Sequence, residues 1–111
     1  MTQVQDAEDA AYPRRTLEVE VVALAAPVWS GKARFVSAPT PGGSIGIYPR
    51  HQPLLSVLAP GKVEIERVGL QHHDAFGPPR IEVQASGGFI SVDSDHVTIV
   101  SDECTVLTKK A

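Results

Sequence analysis

Along much of this chain apolar and polar residues take turns with a period of two. Leu17, Val19 and Val21 fall on one side of such a segment, and Glu18 and Glu20 on the other. The pattern returns where Val63 and Ile65 alternate with Lys62, Glu64 and Glu66, and where Ile81, Val83 and Ala85 alternate with Arg80, Glu82 and Gln84. It returns again where Ile90 and Val92 alternate with Phe89 and Ser91, and where Val97 and Ile99 alternate with His96 and Thr98. Successive side chains of a strand point to opposite faces, so each segment predicts a strand with one face in a core. Between the segments stand Pro27, Gly31, Pro39-Thr40-Pro41-Gly42-Gly43, Pro49, Pro53, Pro60-Gly61, Gly77-Pro78-Pro79, Gly87-Gly88 and Asp93-Ser94-Asp95. Breaks that close leave no room for long helices and predict short strands joined by tight turns. The expected fold is all-β: a flattened sandwich or barrel of about ten short, mostly antiparallel strands.

The boundaries follow from where the alternation starts and stops. Residues 1–14 mix Asp, Glu, Gln and Ala without a hydrophobic period and are expected to form a flexible acidic extension. The sandwich is expected over 15–108, with 109–111 as a tail. The most polar internal stretch, Gly69–Pro79, predicts a long exposed hairpin loop.

A length of 111 residues supports one domain with one core. Asp6, Glu8 and Asp9 account for the formal net charge of −3, and the remainder carries ten basic against ten acidic residues. With no basic run longer than Arg14-Arg15 or Lys109-Lys110, nucleic-acid binding is not expected. The run Val21–Ala26 ends at Pro27, far short of the roughly 18 apolar residues of a membrane helix, so no membrane insertion is expected. The acidic N-terminus does not resemble a secretory signal, and Cys104, as the single cysteine, predicts a reducing compartment.

Candidate chemistry is thin. His72 and His73 are adjacent and would point apart on an extended chain, while His51 and His96 lack metal-ligand spacing, so no metal is expected. Cys104 follows Ser101-Asp102-Glu103, an acidic setting that disfavours a thiolate, and it reads as a structural thiol near the end of the last strand. Gly42-Gly43-Ser44-Ile45-Gly46 lacks the lysine and spacing of a phosphate loop. Trp29 and Tyr48 stand beside turns, and Trp29 reads mainly as core. Gly43 and Gly46 would allow a tight turn, Pro49 and Pro53 would stiffen the chain after it, and Gly87-Gly88 would allow close backbone approach.

One ordered set of residues carries more. It runs from strand Leu17–Val22 through Val28-Trp29-Ser30-Gly31 and a strand around Ala33–Val36 to Gly43-Ser44-Ile45-Gly46-Ile47-Tyr48-Pro49-Arg50-His51-Gln52-Pro53-Leu54-Leu55. Leu58-Ala59-Pro60-Gly61-Lys62-Val63, Gly87-Gly88-Phe89-Ile90-Ser91-Val92 and Val97-Thr98-Ile99-Val100 complete it. Over about residues 15–105 this resembles the N-terminal β-sandwich of the epsilon subunit of bacterial F-type ATP synthase.

The resemblance implies a mechanical role. Such a subunit is not an enzyme and has no cofactor. It sits in the central stalk, contacts the gamma subunit and the polar loops of the membrane c-ring beneath the alpha/beta catalytic head, and lies peripherally on the cytoplasmic face of the bacterial membrane. By resemblance, Gly42, Gly43, Ser44 and Ile45 form the ring-facing loop, and Tyr48, Pro49, His51 and Pro53 lie on the gamma-facing surface. Many relatives carry an acidic residue where this chain has Ser44. Relatives also continue into a helical hairpin that can inhibit hydrolysis and in some bacteria bind ATP, whereas Val106-Leu107-Thr108-Lys109-Lys110-Ala111 is too short for one. A subunit that couples without hairpin-mediated inhibition is therefore expected. The alternatives are a stand-alone sandwich binding a small ligand or carbohydrate through Trp29, Tyr48 and the His72-His73 loop, or an enzyme using His51 or Cys104.

Overall fold

Every alternating segment forms a strand in the computed structural model, which describes residues 16–68 and 80–107. The acidic extension 1–14, the loop 69–79 with His72 and His73, and the tail 109–111 lie outside the described residues. Nine strands and no helix occur among the described residues. They are β1 (Leu17–Ala23), β2 (Pro27–Thr40), β3 (Gly43–Ile47), β4 (Leu54–Leu58), β5 (Gly61–Arg67), β6 (Arg80–Ala85), β7 (Gly88–Asp93), β8 (His96–Ser101) and β9 (Cys104–Leu107).

The hydrogen-bonded order is β4-β7-β8-β1-β2-β5-β6-β9, with β3 also paired to β2. All pairs are antiparallel except β1 with β8, which is parallel. Each strand buries one of its two faces, and no helix among the described residues covers that face. The continuous sheet therefore folds over on itself into two layers. β2 makes the fold possible. Its first half pairs with β1, from Pro27 opposite Val22 to Ala33 opposite Leu17, and its second half pairs with β3 on one side and β5 on the other. The register slips between Ala33 and Phe35, a bulge that bends the strand from one layer into the next.

β2 is longer than the short strand expected around Ala33–Val36, because residues expected to act as breaks lie inside it. Pro27 opens the strand, where a missing donor costs least. At Gly31 a Cβ would come within 2.9 Å of the Trp29 ring, so this glycine leaves room for the indole to pack on the core. Pro39 keeps its acceptor role, its carbonyl taking the Ala59 N–H at 2.9 Å. Cys104, half-buried, starts the last strand rather than closing it.

Leu17, Val19, Val21, Leu58, Ile90, Val92, Val97 and Ile99 from one layer meet Val36, Ala38, Ile47, Val63, Ile65, Ile81, Val83 and Ala85 from the other. Burying each large aliphatic side chain contributes about 1.5–3 kcal/mol. Ser101 is the buried polar exception, and it is satisfied. Its Oγ accepts from the Ser86 N–H and donates to the Glu103 carbonyl, both at 3.1 Å, and lies 3.1 Å from Ser86 Oγ. The Glu103 N–H donates to Ser86 Oγ at 3.1 Å, so the serine pair ties the β6–β7 turn to the β8–β9 turn.

Two backbone positions set opposite limits on substitution. At Gly88, with φ 136°, a Cβ would overlap the Val100 carbonyl oxygen and stand 2.9 Å from Ser101 Cα. Gly88→Ala is expected to destabilise by roughly 3 kcal/mol or more, seen as a lower midpoint in chemical denaturation. Arg50 has φ 75°, a left-handed conformation that favours glycine. Arg50→Gly is expected to be neutral or to stabilise by up to about 1 kcal/mol in the same assay.

Candidate functional site

The two outer faces of the sandwich differ because the sequence fills their outward positions differently. On the β4-β7-β8 side, pairing aligns Val57 with Phe89, Phe89 with Val100, and Val100 with Val22 of β1. Phe89 is 55% exposed, Val57 50% and Val100 39%, and Leu55, one step along β4, is 75% exposed. Beyond them the β1–β2 turn, closed by reciprocal Ala23 and Ala26 hydrogen bonds of 3.0 and 3.2 Å, holds Leu24 75% exposed at its tip. Near the start of β4, Pro53, Leu54, Leu55, Ser91, Val92 and Asp93 line a shallow groove of about 550 Å³.

The outward positions of β5 and β6 carry charge instead. Lys62 lies 3.7 Å from Glu82, and Arg80 lies 3.9 Å from Glu64 and 3.3 Å from Glu66, which also meets Arg34 at 3.9 Å. Exposed pairs of this kind add little stability, but they leave a hydrated, self-neutralised face. At the near edge of the first layer, Lys32 donates to Glu18 at 2.6 Å. That bond and the ammonium charge hold the Glu18 carboxyl below its ordinary range, with a smaller contribution from His96.

The residues expected to face gamma form the crossover from β3 to β4, where the chain passes between layers. Tyr48, 62% exposed, rests against Phe35 with ring centroids 4.7 Å apart, on the outside of the β2-β3-β5 layer. The His51 N–H donates to the Tyr48 carbonyl at 3.1 Å, closing a turn around half-buried Pro49, and His51 Nδ1 lies 2.7 Å from the Gln52 carbonyl. Pro53 is exposed and borders the apolar groove. The set thus divides: Pro53 adjoins the Leu55 patch, and Tyr48 belongs to the other layer. A carboxylate fixes the crossover. Asp95 Oδ1 accepts the Arg50 N–H at 2.6 Å, and the Asp95 carbonyl accepts the Glu18 N–H at 2.8 Å. Asp95 can do both because Ser94 and Asp95, with φ 51° and 64°, form the two-residue turn between β7 and β8.

Gly42, Gly43, Ser44 and Ile45 make the β2–β3 hairpin tip. Thr40 Oγ1 donates to the Gly43 carbonyl at 2.6 Å and accepts the Gly42 N–H at 3.2 Å, so the tip is internally braced. Gly43 has φ 126° and open space around it, and Ser44 is exposed. Gly46 has no positive φ; a Cβ there would meet the Phe35 ring at 3.0 Å. Trp29 packs against the core while Tyr48 lies outside, so the two do not converge on a ligand platform. No group of three or more His, Cys, Asp or Glu among the described residues is arranged to hold a metal ion.

The apolar surface residues were missed by assigning strand faces alone. Phe89 occupies a position where alternation calls for a polar residue, and the Leu54-Leu55 doublet places a leucine on both faces of β4. Those two irregularities are the signal that sequence could have offered.

A β-sandwich with an apolar patch on one outer face and ion pairs across β5 and β6 on the other has the make-up of a protein-docking domain. Residues 16–107 match the model of the ATP synthase Delta/Epsilon chain β-sandwich domain. The chain is 40% identical over 87 residues to the ATP synthase epsilon chain of Laribacter hongkongensis, an alignment covering 78% of this chain and 57% of that one. It is 37% identical over 86 residues to the epsilon chain of Neisseria meningitidis serogroup C (strain 053442), covering 78% and 56%. It thus spans a little over half the length of these curated relatives. A solved chain in the Euglena gracilis mitochondrial ATP synthase assembly of OSCP, F1 and c-ring shares the fold, with TM-score 0.70 and 20% identity over 82% of this chain and 53% of that one. A chain of the Tetrahymena thermophila mitochondrial ATP synthase central stalk and c-ring does so with TM-score 0.63 and 18% identity, over 80% and 65%. This chain belongs to the delta/epsilon family of ATP synthase subunits.

The crossover offers a direct test of how its geometry is held. Asp95→Ala is expected to cost about 1–2 kcal/mol by removing a charged acceptor, and to speed hydrogen exchange at the Arg50 amide in NMR.

Proposed function

We propose that this chain is a central-stalk subunit of a proton-translocating F1Fo ATP synthase, linking the gamma subunit to the c-ring so that ring rotation reaches the alpha/beta head. In this reading it is a non-catalytic part of the F1 sector, peripheral on the cytoplasmic face of the bacterial membrane. The domain runs over 15–108. The observation that carries the reading, beside family membership, is the patch of Val57, Phe89 and Val100 with Leu55 and Leu24, exposed together on one face, while β5 and β6 carry ion pairs on the other. Apolar side chains left in water on a single side call for a partner there, and an aromatic at the centre of such a patch is the usual energetic anchor.

Gamma is assigned to this face, entered at Pro53, with the Pro49–His51 turn leading round to Tyr48 on the other layer. The ring loops are assigned to the Gly42–Ile45 tip. Ser44 supplies hydrogen bonding but no charge there, so that contact depends on shape more than on electrostatic attraction. In this reading the chain couples rotation without hairpin-mediated inhibition.

Affinity purification of the tagged chain from detergent-solubilised membranes is expected to recover gamma, alpha, beta and c subunits. Phe89→Asp should abolish that recovery while the chain stays folded by circular dichroism, at a cost of about 1–2 kcal/mol for the lost contacts with Val57 and Val100. A free monomer carrying sugar or metal would sink the proposal. Added to F1 lacking its epsilon subunit, the chain is expected to leave ATP hydrolysis unchanged and to show no ATP binding in calorimetry at micromolar concentrations.

A further inference from the structure

Along the strands that carry the row Val57, Phe89 and Val100, the outward side chains turn from apolar to acidic. β7 runs from Phe89 through Ser91 to Asp93, and beside β8 the first strand runs from Val22 back through Glu20 to Glu18. The fixed charges of this margin do not balance: Glu18, Glu20 and Asp93 stand against Lys32 alone, and a charged His96, opposite Glu18 and Asp93, would still leave it negative. On the ion-paired face, by contrast, Lys62, Arg80 and Arg34 match Glu64, Glu66 and Glu82. Lys32 is taken up by Glu18 at 2.6 Å. Glu20 and Asp93 are exposed, and neither has an ion-pair partner among the described residues. Asp93 Oδ1 accepts a 3.3 Å hydrogen bond from neighbouring Ser94 Oγ, and Asp93 borders the shallow groove that Pro53, Leu54 and Leu55 line from the β4 side. A carboxylate beside an apolar groove suits a lysine or arginine, whose aliphatic stem lies along apolar surface while its charged tip meets an anion.

We propose that the partner seated on this face presents an apolar strip bordered by two lysine or arginine side chains, one entering the groove beside Leu55 to meet Asp93 and the other meeting Glu20. The proposal rests on the assignment of gamma to this face and adds the chemistry by which the partner is selected and oriented. Two basic groups are needed because Asp93 and Glu20 lie two strands and two residues apart, roughly 12 Å by sheet spacing, beyond the span of a single charged head group. A second copy of this chain is a poor occupant, since its matching face would set carboxylates against carboxylates. The apolar patch supplies most of the affinity but little direction. The two carboxylates fix how the partner lies across it and speed its approach.

Binding of the full 111-residue chain to its cognate F1 lacking the epsilon subunit, followed by biolayer interferometry at low and high salt, is the test. At about 50 mM NaCl, Asp93→Asn and Glu20→Gln are each expected to weaken binding about threefold to tenfold, chiefly through slower association, and at about 500 mM that loss should nearly vanish because exposed charges are screened. Phe89→Ala should weaken binding to the same degree at both salt concentrations, and Glu64→Gln on the opposite face should change it at neither. All four variants are expected to keep the circular dichroism of the unaltered chain. Carboxylate variants that bind normally at low salt overturn the proposal, as does a loss that persists undiminished at high salt. Self-association of the chain that Phe89→Ala abolishes and that competes with F1 would give the face to a second copy and overturn it too. The two readings fail differently: normal binding by Phe89→Ala, or no binding by the unaltered chain, removes the assignment of gamma to this face and the present proposal with it. A loss on Phe89→Ala without any loss on the carboxylate variants removes the present proposal alone.

Discussion

The structure depends on one strand serving two layers. β2 supplies the wall of the first layer as far as Ala33 and the centre of the second layer beyond Phe35. Ala33 is fully buried at the bend, where a larger side chain would have to find space between the layers. Without the slip in register at that point, the apolar side of β2 could not face inward in both layers. β1, β3 and β5 all take their positions from it, and through β1 and β5 so do the remaining strands.

Once alternation has committed one face of every strand to the core, the other face is free to carry function. In this chain that freedom is used unequally. The outward positions of β5 and β6 hold Lys62, Glu64, Glu66, Arg80 and Glu82, which satisfy one another in water, while those of β4, β7 and β8 hold an apolar patch of Leu55, Val57, Phe89 and Val100 beside the polar Ser91, Asp93, His96 and Thr98. The domain is thereby polarised without any change to its interior. The turns are fixed rather than loose: Thr40 braces the β2–β3 tip, the Ser86–Ser101 pair binds two turns together, and Asp95 joins the crossover to the start of β1. For a part whose proposed work is to pass on torque, stiffness at the ends of the strands matters as much as packing between them.

Much of the fold could be read in the sequence because alternation reports burial directly. Val19, Val63, Val83, Ile90 and Val97 are all buried where the period places them. The length of β2 could not be read, since Pro27, Gly31 and Pro39 look like interruptions until one sees that one opens the strand, one leaves room for Trp29 and one needs only its carbonyl. β9 escaped because Cys104-Thr105-Val106-Leu107 has no strong contrast between its faces, its place being set by pairing to β6. At the site, the motif around Tyr48–Pro53 marked the crossover, but not that Tyr48 and Pro53 end on different layers. Periodicity says which way a side chain points, not which of two outward faces it reaches.

The parallel pairing of β1 with β8 also governs when the molecule can form. β1 lies between β2 and β8, and its second neighbour is encoded some eighty residues later, through Ser101 opposite Ala23. A chain emerging from the ribosome can close the β1–β2 and β2–β3 hairpins early, but one flank of β1 stays open until β8 has been made. Contacts so distant in sequence slow folding to the millisecond-to-second range and leave a strand edge exposed meanwhile. Nascent chains of this domain therefore remain an unfinished sheet until β8 emerges, and chaperone protection of the β1 edge would be most valuable just before then.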